Sequence, residues 1–162
     1  TDRSPTSQPV IGSPAAGRIT AAERTAQHPT DCGAALAFVY KRRPKGTTNV
    51  AQAAEVMGDA EGRDCIIPDD MIDTAGTVSE AARALKQLGA NDIYVCATHA
   101  LLSGPAVERL SNAPITEVVV TDSIALPPEK RFPALNVLSV GELLAKAIRF
   151  THSDQSVSSL FD

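Results

Sequence analysis

Short apolar runs alternate with helical stretches along most of this chain, and that alternation limits the fold more than any other feature. ALAFVY (Ala35–Tyr40), DCIIPDD (Asp64–Asp70), DIYVCAT (Asp92–Thr98) and EVVVTD (Glu117–Asp122) carry nearly continuous apolar cores. Strands of that kind are buried on both faces, as in a parallel sheet covered by helices. VIGS (Val10–Ser13) and ALNVLS (Ala134–Ser139) are two shorter strands, and Glu55–Met57 is a short apolar piece. The intervening segments read as helices: Gly17–Gln27, a stretch with Val78, Ala81, Ala82, Leu85 and Leu88 at helical spacing, Gly104–Asn112, and a helix through Leu143–Ile148. Gly89 is placed to stop the second helix. Ser139 with Glu142 three residues on has the spacing of a capping box for the last.

The pattern predicts one doubly wound α/β domain over residues 10–162, preceded by a Ser-, Thr- and Pro-rich lead-in at 1–9. The chain does not begin with Met, and it reads either as a fragment of a longer protein or as a short protein in its own right. No run approaches the roughly 18 apolar residues of a membrane span, and no signal peptide opens the chain, which points to a cytoplasmic protein without a membrane partner. A net charge of −4, 4% aromatic residues and no Trp argue against nucleic acid as a partner. Cys32, Cys65 and Cys96 are widely spaced and odd in number, and they read as reduced thiols rather than a disulfide or metal site.

Ligands of open parallel sheets bind beyond the carboxyl ends of the strands. One such exit stands out, Ile66-Ile67-Pro68-Asp69-Asp70-Met71-Ile72-Asp73-Thr74-Ala75-Gly76-Thr77. The small residues Thr74–Thr77 let backbone amides and two hydroxyls approach an anion at the positive end of a helix, a phosphate site. The preceding acids would repel that phosphate, and they suit sugar hydroxyls or a bound metal ion instead. Together these describe a pocket for a phosphorylated pentose. The plainer alternative is that Asp73 and Thr74 merely cap the helix while Asp69 and Asp70 are solvated.

DDMIDTAGT (Asp69–Thr77) resembles the phosphoribosyl-pyrophosphate loop of type I phosphoribosyltransferase folds, in the form used by ribose-phosphate pyrophosphokinases. KRRP (Lys41–Pro44), EGRDCI, THALLSGPAVERL (Thr98–Leu110), VVVTDSIALPPEKR (Val118–Arg131), LSVGELLAKAI (Leu138–Ile148) and SVSSLF resemble the C-terminal half of that family, in the same order. The resemblance implies a type I phosphoribosyltransferase-like domain. It also implies transfer of the β,γ-diphosphoryl group of ATP to the 1-hydroxyl of ribose 5-phosphate, giving phosphoribosyl pyrophosphate and AMP with Mg²⁺ as cofactor. Carried over residue by residue, Asp73, Thr74, Ala75, Gly76 and Thr77 match the 5-phosphate loop, and Asp69 and Asp70 match the acids at the ribose, Asp69 being the stronger candidate for direct contact. Lys41 and Arg43 match the catalytic cations of a mobile flap, which suits a transfer that depends on positioning and charge neutralisation. Ser156 and Ser158 match positions of an allosteric nucleotide site, and the family assembles as homo-oligomeric hexamers.

The chain departs from the family at three places. Ala15 stands where a Mg²⁺-binding Asp is expected, so no metal ligand is assigned there, and Arg18 replaces a Gly and reads as solvated. Pro68 replaces an ordinary apolar residue, and the flap around Gly46-Thr47-Thr48 is slightly longer. The family's N-terminal half, which supplies much of the ATP site and a metal-binding histidine, is absent from these residues. His28 and His152 read as solvated, and His99 as a structural imidazole at a strand exit. Ala15 and the absent half favour a second reading, a non-catalytic regulatory or associated subunit that binds sugar phosphate without turnover.

Overall fold

The computed structural model of the protein describes residues 60–161 in full, together with the backbone of Val10–Ser13, Ala35–Lys41 and Ala54–Met57. Those three segments are strands β1, β2 and β3. The sheet continues with β4 (Cys65–Ile72), β5 (Ile93–Ala100), β6 (Glu117–Thr121) and β7 (Leu135–Leu138). The described helices are α1 (Gly76–Gln87), α2 (Ala106–Ser111) and α3 (Gly141–His152), with 3-10 turns at Pro128–Lys130 and Val157–Leu160. These strands form one seven-stranded sheet in the order β3-β2-β1-β4-β5-β6-β7, parallel throughout except where β3 lies antiparallel to β2. The expected α/β class is therefore observed. The lead-in at 1–9 and the helix expected over Gly17–Gln27 lie outside the described residues.

Right-handed crossovers from β4 to β5 and from β5 to β6 put α1 and α2 on one face. The core lies there: Ile67, Val95, Val118 and Val120 are buried against Val78, Ala81, Ala82 and Leu85 of α1 and Ala106 and Leu110 of α2. Along β4 and β5 the residues between these, Ile66, Pro68, Tyr94 and Cys96, are only partly covered. In β4 and β5 the continuous apolar runs thus serve one fully buried face and one partly covered face.

Helix α1 ends where Gly89 predicts. Gly89 has φ 84°, its amide donates to Lys86 O at 3.1 Å, and the Ala90 amide reaches back to Leu85 O at 3.2 Å. This is a Schellman closure, which needs a left-handed residue at that position. Leu88, expected on the apolar face, is instead the C-cap residue and 43% exposed, because the helix has already begun to unwind there.

The boundaries of three elements differ from expectation. β4 and β5 run on to Ile72 and Ala100, because their pairing continues past the acidic residues through Met71 opposite His99 and Ile72 opposite Ala100. His99 is therefore inside β5 rather than beyond it. Helix α2 is shorter than Gly104–Asn112, since Gly104 takes φ 53° before it. The capping box of α3 does not form. Val140 occupies the cap position, its amide donates 2.8 Å to Asp122 Oδ1 from the end of β6, and Glu142 pairs with Lys146 at 2.8 Å. Ser139 Oγ accepts from the Gly141 amide at 3.2 Å. Leu143, Leu144 and Ile148 of α3 are exposed, as is Leu138 before it.

The hydrogen bond with the Ser139 side chain, then that from the Val140 amide, holds the Asp122 carboxyl below the usual carboxylate range. A depressed folded-state pKa contributes stability above the ordinary carboxylate pKa and loses it as pH falls through the depressed value. Acidification below about pH 4 should therefore lower the amide-exchange protection factors in the first turn of α3, and Asp122→Ala should produce the same change at neutral pH. Ser79 is 1% exposed and its hydroxyl has no partner among the described residues. Ser79→Ala should raise stability by about 1 kcal/mol in denaturant titrations, since an unsatisfied buried hydroxyl is removed from a helix.

Candidate functional site

The strand order reverses at β1 and β4: the chain moves outward from β1 to β2 on one side and from β4 to β5 on the other. In open α/β sheets such a reversal marks where ligands bind, beyond the carboxyl ends of the strands, here those of β1 and β4. Asp73, Thr74 and Ala75 link β4 to α1 at that point.

Ala75 stands before α1 in the left-handed conformation, φ 57° and ψ 9°, and no side chain caps the helix. The plainer alternative, in which Asp73 or Thr74 caps α1, is thus not what forms. The Ser79 amide donates to Ala75 O at 3.0 Å and closes the first turn. The amides before it belong to the unsatisfied helix start. A left-handed residue followed by helical backbone curls the successive amides of Ala75, Gly76 and Thr77 into a concave nest, with the positive end of α1 behind it. Asp73, Thr74 and Thr77 are exposed around this nest, while Ala75 is buried.

The carbonyls of the same turn are all occupied. Ile72 O accepts from the Leu101 and Leu102 amides at 3.0 and 3.1 Å, and Asp73 O accepts from the Ser103 amide at 2.9 Å. Thr74 O accepts from Arg109 Nη1 at 2.9 Å. Leu102 makes the first contacts possible by adopting φ 49° while 2% exposed. A β-carbon on Gly76 would sit 3.4 Å from Arg109 Nη1, so the guanidinium lies directly over this backbone. An open cleft of about 420 Å³ adjoins the turn, lined by Thr74, Gly76, Thr77, Ser79, Glu80, Arg83 and Arg109.

The acidic pair lies within β4, one turn of chain before the nest. Asp69 is half-buried, and its Oδ1 accepts from the Asp70 amide at 2.8 Å and the Met71 amide at 3.4 Å. Asp70 is exposed. Pro68 pairs with Cys96 of β5, whereas the paired register with β1 stops at Ile66. Its missing amide is tolerable because the ladder on the β1 side has already ended.

Lys41 is the last residue of β2. Since β2, β1 and β4 are parallel, Lys41 lies at the same sheet edge as the nest, two strand spacings or roughly 10 Å away across the sheet. Arg43 and Ala15 lie outside the described residues. Ser156 and Ser158 are exposed on the C-terminal segment around Val157–Leu160, which packs on α3. His99 Nδ1 is 3.0 Å from Ser123 Oγ, which itself donates to Thr98 O at 2.9 Å. With its proton so directed, Ser123 Oγ accepts, which places the proton of a neutral His99 on Nδ1. Cys65 and Cys96 are free thiols, as expected. Burial, then the neighbouring Asp64, pushes the Cys65 thiol up to about 11, and burial followed by Glu117 raises Cys96. Cys32 lies outside the described residues. Arg109 was not distinguishable in the sequence from any exposed helical arginine, and its contact with Thr74 spans 35 positions.

A mainly parallel sheet whose order reverses at β1 and β4, with helices packed on it, is an α/β domain of the phosphoribosyltransferase-like class. The chain belongs to the family described as the phosphoribosyl synthetase-associated domain, whose model matches residues 18–162. It is 51% identical over 152 residues to a ribose-phosphate pyrophosphokinase of Bifidobacterium longum, covering 94% of this chain and 44% of that protein. To the ribose-phosphate pyrophosphokinase of Bacillus subtilis it is 49% identical over 152 residues, covering 94% of this chain and 46% of that protein. The crystal structure of phosphoribosylpyrophosphate synthetase from Mycobacterium smegmatis superposes with a TM-score of 0.81 at 40% identity, covering 91% of this chain and 46% of that one. The chain thus spans somewhat under half the length of these relatives. No described helix is long and apolar enough to cross a membrane.

The left-handed turn yields a direct test. Ala75→Gly removes the Cβ penalty and loses a buried methyl and some unfolded-state restriction, so stability should stay within about 1 kcal/mol of the parent. Ala75→Val places a β-branched residue where φ is positive and should cost about 2 kcal/mol or more by chemical denaturation.

Proposed function

We propose that this chain carries the ribose 5-phosphate portion of a ribose-phosphate pyrophosphokinase. The reaction joins the 1-hydroxyl oxygen of ribose 5-phosphate to the β-phosphorus of ATP. The bond between the β-phosphorus and the oxygen bridging it to the α-phosphorus breaks, AMP leaves and the hydroxyl proton is released. The observation that carries this reading is the uncapped start of α1 behind left-handed Ala75, at the strand-order reversal. Amides so arranged suit a dianionic phosphate ester better than a neutral ligand.

In this reading the amides of Ala75, Gly76 and Thr77 hold the 5-phosphate with the hydroxyls of Thr74 and Thr77, and Asp73 borders that loop. Asp69 and Asp70 accept from ribose hydroxyls, with Asp70 the more open of the two and Asp69 partly engaged by its own backbone. Lys41, the last residue of β2, and Arg43, two positions on in the sequence, would neutralise the diphosphoryl group as it is transferred. The reading keeps Ser156 and Ser158 for a regulatory nucleotide site formed on homo-oligomer assembly, and a cytoplasmic location. The family's reaction uses Mg²⁺. Among the described residues no three His, Cys, Asp or Glu side chains group to hold a metal ion, and no step is routed through one.

A second reading, an associated subunit that binds sugar phosphate without turnover, is favoured by Ala15 standing where the family carries an acidic metal ligand. Calorimetric titration with ribose 5-phosphate and an assay of AMP release from ATP separate the two. The 162-residue chain is expected to bind ribose 5-phosphate and to release little or no AMP. Asp73→Ala or Thr77→Ala should weaken binding about tenfold or more. In a full-length relative, the counterpart of Lys41→Ala should lower kcat by about a hundredfold with little change in KM. Rapid AMP release by this chain alone would overturn the division of labour, and absence of ribose 5-phosphate binding would overturn the site.

A further inference from the structure

We propose that Arg109 is a positioning residue for the phosphate turn: by holding the Thr74 carbonyl it aims the Ala75 amide into the anion nest. The inference rests on the reading of that turn as a phosphate cradle.

A peptide unit is planar and trans, so its carbonyl and its amide hydrogen point in opposite directions. Arg109 Nη1 donates 2.9 Å to Thr74 O from α2. Fixing that carbonyl toward α2 turns the Ala75 N–H the other way. Rotation of this one peptide would present an oxygen, with its partial negative charge, where the nest needs a hydrogen. Such a rotation is the local hazard here, because Ala75 already sits in a costly left-handed conformation, φ 57°, that only surrounding contacts maintain. The Leu101, Leu102 and Ser103 amides hold the carbonyls of Ile72 and Asp73. Arg109 alone among the described residues holds the third carbonyl, the one adjoining the nest. A β-carbon on Gly76 would lie 3.4 Å from Arg109 Nη1, in ordinary contact, so the guanidinium sits against this stretch of the turn.

A charged donor could instead act simply by attracting the phosphate, and salt distinguishes the two. Attraction between exposed charges is screened, whereas the orientation of a peptide is not. The test uses the whole 162-residue chain, unaltered and as Arg109→Met and Arg109→Lys, titrated with ribose 5-phosphate at about 50 mM and about 500 mM salt. The Thr74 carbonyl ¹³C resonance is followed in parallel without ligand. Arg109→Met is expected to bind roughly tenfold more weakly, by the same ratio at both salt concentrations, and to shift the Thr74 carbonyl resonance upfield. Arg109→Lys keeps a donor without the planar fork, and should recover part of both effects. Equal binding by Arg109→Met and the unaltered chain overturns the inference. So does an unmoved Thr74 resonance, or a loss that disappears at high salt. If Arg109→Met does not fold, the Thr74 resonance and affinity of Arg109→Lys against the unaltered chain make the same decision. Failure of the unaltered chain to bind ribose 5-phosphate overturns the cradle reading itself, which separates that failure from one confined to Arg109.

Discussion

Where β4 runs beside β5, from Cys65 opposite Ile93 to Ile72 opposite Ala100, the pairing holds both the core and the site in place. Its inner face carries Ile67, Val95 and Ala97, the surface on which Val78, Ala81 and Leu85 of α1 are packed. Its far end delivers the chain to the cleft with its direction already set. The turn after Ile72 needs no cap of its own, because the strand on one side and the helix on the other are both anchored in the same apolar layer. Hydrophobic burial thus pays for an exposed run of unsatisfied amides.

That arrangement separates two tasks along a few residues. Asp69 and Asp70 remain within β4, and the amides of Ala75, Gly76 and Thr77 come after the strand has ended. The end of β4 at Ile72 fixes the distance of Asp69 and Asp70 from the turn, whose own acid, Asp73, is exposed at its start. The loop from Leu101 to Ser103, with buried Leu102 in the left-handed region, supplies the complementary donors that occupy the carbonyls of the turn. The site is therefore assembled from two successive strand exits and the short helix that follows.

The features that sequence made legible are those governed by local period. The strands around Ile67, Val95 and Val119, the helix with Val78, Ala81, Ala82 and Leu85, and the stop at Gly89 all follow from spacing and from one residue's conformational freedom. The small residues Thr74–Thr77 at a strand exit were visible for the same reason. What escaped depends on distant partners. Asp69–Ile72 look like loop residues until β5 pairs with them, and Val140 is capped by Asp122 from 18 positions away rather than by the adjacent Glu142. Arg109 carries no local signature, since its importance lies entirely in the carbonyl it meets. Ala75 would have been a poor candidate for positive φ on propensity alone, where Gly or Asn is usual.

Helix α3 has a calorimetric consequence. Its Leu143, Leu144 and Ile148 stand in water, 41, 55 and 70% exposed, and so contribute little to holding this chain folded. Any event that removes them from water will appear as a fall in heat capacity, the thermodynamic mark of apolar desolvation. Filling the polar amide nest removes little apolar surface and leaves the heat capacity nearly constant. Temperature dependence of the measured enthalpy therefore separates what happens at this C-terminal helix from what happens at the turn after β4, even when both occur in one titration.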